Sequence, residues 1–155
     1  MHTSQVFALA SVQWRIVVRA LLLLPAVPAT AAETVTMNMA SQVLDLDTGT
    51  VATAAPTGPD GSAGADLRLA YNADRTPHAV VVPVGDGVEI AFLADVGYDG
   101  VTSADLPSLT FSAAPPDASF SADDCVVVRT DQDAYFKLGN ATENGLSITF
   151  NYEQL

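Results

Sequence analysis

The chain contains 155 residues, of which 49% are hydrophobic, and carries a formal net charge of −12. All 18 acidic residues lie at or beyond Glu33, whereas two of the six basic residues precede it. A negative surface repels phosphate backbones and anionic lipid headgroups, so the charge argues against nucleic-acid binding and against electrostatic docking on a membrane.

Residues 1–31 are predicted to be a signal peptide. Arg15 and Arg19 form a positively charged flank, an apolar run covers residues 20–27, and Ala29-Thr30-Ala31 has the small residues that signal peptidase accepts. A membrane-spanning helix needs about 20 consecutive apolar residues, and this run is much shorter. We therefore expect a secreted, periplasmic or cell-surface protein whose mature form has no integral membrane anchor.

The rest of the chain has the length of one domain. Residues 32–40 are expected to be a tail or an added edge strand, and residues 41–155 to be the folded domain. This part carries four basic and 18 acidic residues, a net charge of −14. Its single cysteine, Cys125, excludes an intrachain disulfide, and the adjacent Asp123 and Asp124 disfavour a thiolate. Cys125 is therefore expected to be a buried structural residue.

Apolar and polar residues alternate with a period of two along much of the chain, as half-buried strands require. The clearest run covers residues 146–152, and similar runs cover residues 41–46, 66–71 and 88–92. No segment has a sustained helical period, and a single helical turn is predicted over residues 102–106.

Two hairpins are predicted from short turns between alternating runs. Gly85-Asp86-Gly87 is the expected turn of a hairpin over residues 78–92, and Asp131-Gln132-Asp133 joins a strand at 126–130 to one at 134–138. The pattern predicts an all-β fold, namely a single antiparallel β-sandwich of jelly-roll or immunoglobulin-like type with about 7–9 short strands.

The segment LDLDTGT, residues 44–50, contains Asp47-Thr48-Gly49, the tripeptide that holds a catalytic carboxylate in aspartic proteases. Such enzymes need two carboxylates that share one proton, and this chain has no second copy of the tripeptide. A hydrolase that uses Asp47 would therefore have to be a dimer. The alternative interpretation is that Thr48 and Gly49 simply turn the chain out of the first strand.

A second acidic segment, residues 95–100, has features of a calcium loop. Loops of the EF-hand and dockerin kind place oxygen ligands at alternate positions and a glycine at the sharp turn. Asp95, Asp99 and Asp105 are the candidate metal ligands, with calcium as the candidate cofactor. The alternative is a solvated acidic loop, because Gly97 stands where a further oxygen ligand belongs.

Other acidic pairs lie close together in the sequence, namely Asp45 with Asp47 and Asp60 with Asp66. They could contribute to a different site assembled by the fold, which the sequence alone does not show. No pattern marks a pair of carboxylates for glycoside hydrolysis.

The remaining chemistry-bearing side chains fit structural roles. Zinc normally takes histidine and cysteine ligands, and only His78 and Cys125 follow the leader. His78 is expected to be exposed in a loop. Arg129 and Lys137, on adjacent predicted strands of an acidic protein, are expected to form cross-strand pairs with Asp or Glu. No catalytic and no cofactor-binding residue is assigned.

Four segments carry a resemblance, namely LDLDTGTV (44–51), CVVVRT (125–130), AYFKL (134–138) and LSITFNY (146–152). They resemble an uncharacterised class of secreted bacterial β-domains, in which Asp133 of this chain corresponds to a glycine. No activity is established for that class, so the resemblance implies no catalytic residue. It implies that Asp-Thr-Gly is an element of a strand end and not a protease signature.

These observations favour a non-catalytic exported binding or structural module, assisted by calcium if the acidic loop binds it. The expected partner is an extracellular protein or polymer. Two alternatives stay open, a dimeric aspartic-type hydrolase that uses Asp47 and a subunit of a cell-surface assembly.

Overall fold

The computed structural model describes residues 31–39, 41–53 and 64–155. Residues 1–30, which contain nearly all of the predicted signal peptide, lie outside these ranges, as does Asp60. Within the described ranges, no helix has the length and apolar character needed to cross a membrane.

Strands make up most of the regular structure in the described ranges. They are β1 (Glu33–Asn38), β2 (Gln42–Asp45), β3 (Thr50–Thr53), β4 (Leu67–Tyr71), β5 (Ala79–Pro83), β6 (Glu89–Leu93), β7 (Cys125–Arg129), β8 (Tyr135–Asn144) and β9 (Ser147–Gln154). Two short 3-10 helices, Tyr98–Gly100 and Ser103–Ser108, lie between β6 and β7. The second includes most of the helical turn predicted over residues 102–106.

The strands form two antiparallel sheets that pack face to face. The five-stranded sheet has the order β1-β9-β8-β7-β6, and the four-stranded sheet has the order β3-β2-β4-β5. All pairs of neighbouring strands are antiparallel. The predicted all-β antiparallel sandwich with 7–9 short strands is therefore confirmed. Strand β1 lies at the edge of the larger sheet, where it pairs with β9.

The hairpin predicted over residues 78–92 is wrong. Strand β5 pairs with β4 in the four-stranded sheet, whereas β6 pairs with β7 in the five-stranded sheet. The segment Gly85-Asp86-Gly87 instead carries the chain from one sheet to the other, and both glycines have positive φ. Alternating runs on either side of a glycine turn fit such a corner as well as they fit a hairpin, since both strands still bury alternate residues between the sheets.

The second predicted hairpin is confirmed by the register of β7 and β8, in which Arg129 lies opposite Tyr135. Asp133 in its turn has φ of +59°, the left-handed conformation that glycine adopts at the lowest cost. An aspartate tolerates this conformation better than most residues do, so the turn keeps its shape without a glycine.

The main core lies between the two sheets. Phe120 and Phe150 are completely buried and meet edge to face, with ring centroids 6.0 Å apart. Each fully buried large apolar side chain contributes about 1.5–3 kcal/mol of transfer free energy. Both sheets supply the surrounding residues, which include Met37, Leu44, Leu67, Leu69, Val81, Ile90, Val126, Val128, Leu138 and Ile148.

A smaller apolar cluster covers the other face of the five-stranded sheet at β6 and β7. It contains Ala91, Val101, Cys125 and Val127, packed against partly buried side chains of the segment that joins β6 to β7. Strand β7 is therefore buried on both faces, which explains why its sequence, CVVVR, does not alternate. Cys125 is fully buried, as predicted, and burial raises the pKa of its thiol to about 11.

The two predicted cross-strand ion pairs are confirmed on the five-stranded sheet. Arg129 lies opposite Glu89, with a nitrogen–oxygen distance of 3.0 Å, and Lys137 lies opposite Glu153, with a distance of 2.8 Å. The Lys137 ammonium is almost completely buried and also donates a hydrogen bond to the Val101 carbonyl oxygen at 3.0 Å. The charges of Arg129 and Lys137 are therefore paired within the five-stranded sheet.

Candidate functional site

The Asp47-Thr48-Gly49 segment lies in the tight turn between β2 and β3. The Thr48 N–H donates to Asp45 Oδ1 at 3.0 Å, and Gly49 has φ of +68°. A Cβ atom at Gly49 would also lie 2.8 Å from the Tyr152 hydroxyl oxygen, closer than real contacts allow. The interpretation of Thr48-Gly49 as a chain turn is therefore confirmed.

This turn brings three aspartates together. Asp45 and Asp47 flank Leu46 at the end of β2, and Asp66 immediately precedes β4, the strand that pairs with β2. One oxygen from each carboxylate lies within 4.8 Å of the other two. We call these three residues the aspartate cluster. The sequence singled out all of them, although it paired Asp66 with Asp60, which lies outside the described residues.

Asp66 is completely buried, and its polar atoms join three segments of the four-stranded sheet. Its N–H donates to the Leu44 carbonyl oxygen at 2.9 Å, and its own carbonyl oxygen accepts from the Val84 N–H at 2.8 Å. Its Oδ2 accepts from the Leu46 N–H at 2.7 Å. Its Oδ1, by contrast, is buried without a hydrogen-bond partner.

The environment of the cluster disfavours negative charge. Burial raises the pKa of Asp66 to about 6, the hydrogen bond from Leu46 opposes this rise, and the carboxylates of Asp47, Asp45 and Asp131 add to it. Burial also raises the pKa of Asp47, against the effect of its hydrogen bond from the Thr130 hydroxyl. Like charges at short range destabilise each other's ionised form, so the cluster favours a bound positive charge, whether a proton or a metal ion.

A cavity of about 170 Å³ lies beside the cluster. Asp47 and Gly49 contribute to its wall, as do Glu33 and Tyr152, whose hydroxyl donates to Glu33 Oε2 at 2.6 Å. Asp66 does not line this cavity. A molecule in the cavity would therefore contact Asp47 but not Asp66.

The structure does not gather the three predicted calcium ligands of the 95–105 segment into one group. Asp95 has φ of +57°, and its N–H donates to Asp124 Oδ1 at 3.1 Å. The Asp105 carboxylate accepts from the N–H and the hydroxyl of Thr102, at 2.8 and 2.9 Å, and so caps the second 3-10 helix. The Thr102 N–H bond, and then the hydroxyl bond, lower the pKa of Asp105. Asp99 lies in the first 3-10 helix, and a calcium site in this segment stays a prediction.

His78 lies in the loop before β5, as predicted, but it is partly buried, so the prediction that it is exposed is wrong. Its Nδ1 lies 3.2 Å from Glu143 Oε2, and its ring stacks on Tyr71 with centroids 4.9 Å apart. The other Glu143 oxygen accepts from the Ala79 N–H at 2.6 Å, so this carboxylate links β8 of one sheet to β5 of the other. His78 follows Pro77, a pattern typical of loops, but no sequence pattern indicates a partner 65 residues away.

A hollow of about 540 Å³ lies on the outer face of the four-stranded sheet. Its apolar lining includes Ala70 of β4, Val80 and Val82 of β5, and the Pro115-Pro116 segment. Polar and charged side chains at the hollow include Arg68, Arg75, Tyr71, Asn72 and Asp117.

The two arginines of the hollow differ in their pairing. Arg75 forms an ion pair with Asp117, whereas Arg68 is exposed and has no acidic partner among the described residues. Sequence reasoning missed this hollow, because the Pro115-Pro116 segment reaches β4 and β5 only through the fold.

No protein-family model matches the chain, and no curated protein matches it. Among solved structures, the crystal structure of an apo HmuY analog from Tannerella forsythia is similar, with 12% sequence identity and a TM-score of 0.45. The similar region covers 83% of this chain and 98% of that chain. What this protein does therefore has to be inferred from its own residues.

The buried carboxylate of Asp66 predicts a specific dependence of stability on pH. Its pKa is about 6 in the folded protein against 3.8 in the unfolded chain, so between about pH 4 and pH 6 the folded state binds more protons. Stability therefore falls as pH rises through this window, by about 3 kcal/mol for this group.

Urea unfolding in the presence of a chelator, at several values between about pH 4.5 and pH 7, measures this effect. Asp66→Asn removes the titrating group, and the asparagine oxygen can still accept from the Leu46 N–H. We expect the variant to lose less stability than the parent protein across the window. Parallel profiles of the two proteins would show that Asp66 does not titrate as described.

Proposed function

We propose that this protein is an exported, non-catalytic binding module that holds an extracellular partner on the outer face of its four-stranded sheet. One observation carries the proposal. Beyond the predicted leader the chain has only four basic residues, and two of them, Arg68 and Arg75, border the same hollow with an apolar lining. Since the part of the chain beyond the leader has four basic and 18 acidic residues, a net charge of −14, this is where an anionic group meets the least repulsion.

The chemistry of the hollow points to a ligand group that combines a carboxylate with an apolar body. A guanidinium binds a carboxylate through two parallel hydrogen bonds, and Arg68 is exposed and unpaired in the described part of the chain. The valines and prolines of the lining offer apolar contact for the rest of the group. An acidic segment of an extracellular protein presents this combination.

The placement of the reactive side chains supports a non-catalytic role. Cys125 is completely buried, and its raised pKa disfavours the nucleophilic thiolate. Lys137 is held between Glu153 and a backbone carbonyl group. A role in binding does not require Cys125 or Lys137 to be chemically reactive.

A second candidate is an acid hydrolase, favoured by the short distance between the carboxylates of Asp47 and Asp66. Here the two carboxylates belong to one chain, so this version needs no dimer. A shared proton would require a direct hydrogen bond between the two carboxylates, and a substrate in the neighbouring cavity would reach Asp47 alone. A third candidate, a subunit of a cell-surface assembly, predicts large oligomers on size-exclusion chromatography.

The binding proposal is tested with a small probe of the right chemistry, N-acetyl-phenylalanine, and with its neutral amide as the control ligand. We expect the acid, and not the amide, to shift backbone amide NMR signals of β4 and β5. Arg68→Gln should weaken this binding about tenfold, since it removes a charged hydrogen-bond donor pair.

Arg129→Gln makes the same charge change on the other sheet and should leave binding of the acid unchanged. Equal binding of acid and amide, or equal losses in both variants, would contradict an anion site at Arg68.

The hydrolase candidate is tested separately. We expect the purified protein to cleave no peptide between about pH 4 and pH 6, the range in which a carboxylate pair shares its proton. Peptidase activity that Asp47→Asn abolishes would establish the hydrolase in place of the binding module.

A further inference from the structure

We propose that Asp45, Asp47 and Asp66 form a binding site for one calcium ion at the turn between β2 and β3. This site is independent of the hollow described above and lies outside the segment in which the sequence pattern indicated calcium binding. It draws its ligands from the end of β2, from the turn itself, and from the residue before β4.

The spacing of the oxygen atoms fits a single ion. Calcium binds oxygen ligands at about 2.3–2.6 Å, so two ligands of one ion lie at most about 5 Å apart. The three carboxylates each place an oxygen within 4.8 Å of the others. No other group of three acidic, histidine or cysteine ligands in the described ranges meets this criterion.

Two buried oxygen atoms point independently to a missing positive partner. Asp66 is completely buried, and its Oδ1 has no hydrogen-bond partner; Asp47 Oδ2 is also buried and unpartnered. Buried polar atoms are almost always hydrogen-bonded or bound to an ion, because an unpaired one costs about 1–3 kcal/mol. Both unpartnered oxygens belong to the aspartate cluster, so a cation bound between these carboxylates would supply the missing partner.

The charge balance supports the same conclusion. The ion pairs found in the described residues involve Asp117, Glu143, Glu89 and Glu153, so no basic side chain pairs with the cluster. The nearby carboxylate of Asp131 makes the surroundings more negative. A divalent cation offsets most of this charge, whereas a single shared proton offsets little of it.

The ligand chemistry selects calcium among divalent ions. All three side-chain ligands are carboxylates, which suit calcium and magnesium, whereas zinc sites are built mainly from histidine and cysteine. Magnesium requires a near-ideal octahedron at about 2.0–2.1 Å and gives up its water reluctantly. A cluster taken from a turn and a strand end, with Asp45 and Asp47 partly open to water, suits the larger and less demanding ion.

The experiment uses chelator-treated protein at pH 7.5 and measures thermal unfolding and calorimetric binding with calcium chloride. Calcium that binds only the folded protein must stabilise it, and at a concentration about 100 times the Kd we expect the Tm to rise by about 5–10 °C. We expect one calcium ion per chain. Sodium chloride of equal ionic strength should not reproduce the rise.

Asp66→Asn and Asp47→Asn are each expected to weaken calcium binding at least tenfold, and the second serves if the first does not fold. The matched control is Asp99→Asn, which makes the same charge change in the other acidic segment and should retain full binding. No calcium response in the parent protein, a rise that sodium chloride reproduces, or loss of binding in Asp99→Asn alone would overturn the site.

These outcomes are separable from those of the binding proposal, since Arg68→Gln should leave the calcium response unchanged. Likewise, Asp47→Asn should still bind N-acetyl-phenylalanine through the hollow.

Discussion

The burial of one carboxylate constrains the four-stranded sheet more than any other polar feature. Asp66 is bonded through three of its four polar atoms, which fasten the end of β2, the start of β4 and the chain leaving β5 to one another. Its fourth polar atom, Oδ1, is buried without a partner, and the carboxylate lies beside those of Asp45 and Asp47. Burying an ionised carboxylate without a counter-charge costs several kcal/mol of folding free energy. Binding of a proton or a cation at this point therefore stabilises the folded protein.

The two sheets differ in how their outer faces are covered. In the five-stranded sheet, β7 is covered on both faces, by the main core and by the cluster around Cys125 and Val127, and Arg129 and Lys137 are paired with Glu89 and Glu153. The four-stranded sheet packs one face against the other sheet, while its outer face has a small buried cluster of Val43, Ala65 and Val84 and also carries the hollow. The hollow and the aspartate cluster, where ligands are proposed to bind, both belong to the smaller sheet.

Much of this architecture follows from local sequence patterns, and what does not depends on long-range pairing. Period-two alternation predicted most of the strands, and the turn at 131–133 followed because a short turn joins β7 to β8. Acidic partners for Arg129 and Lys137 were expected from the charge of the chain, but Glu89 pairs with Arg129 across strands that are far apart in the sequence. The crossing of the chain from one sheet to the other near Gly85 was not predicted. Alternation of apolar and polar residues indicates that a strand has one buried face, but it does not indicate which sheet the strand joins. The aspartate cluster needs β2 and β4 to pair across about 20 residues, and no spacing rule encodes that contact.

The Asp66 carboxylate is buried, and no basic side chain of the described residues pairs with it. Carbon-13 NMR of aspartate carboxylates, titrated in the presence of a chelator, measures its pKa directly, with Asp66→Asn identifying the signal. The predicted result is a midpoint of about 6, well above the usual value of 3.8. A midpoint at or below 4 would contradict the account, because it would show that the folded protein stabilises the charge of Asp66 through a partner or through water.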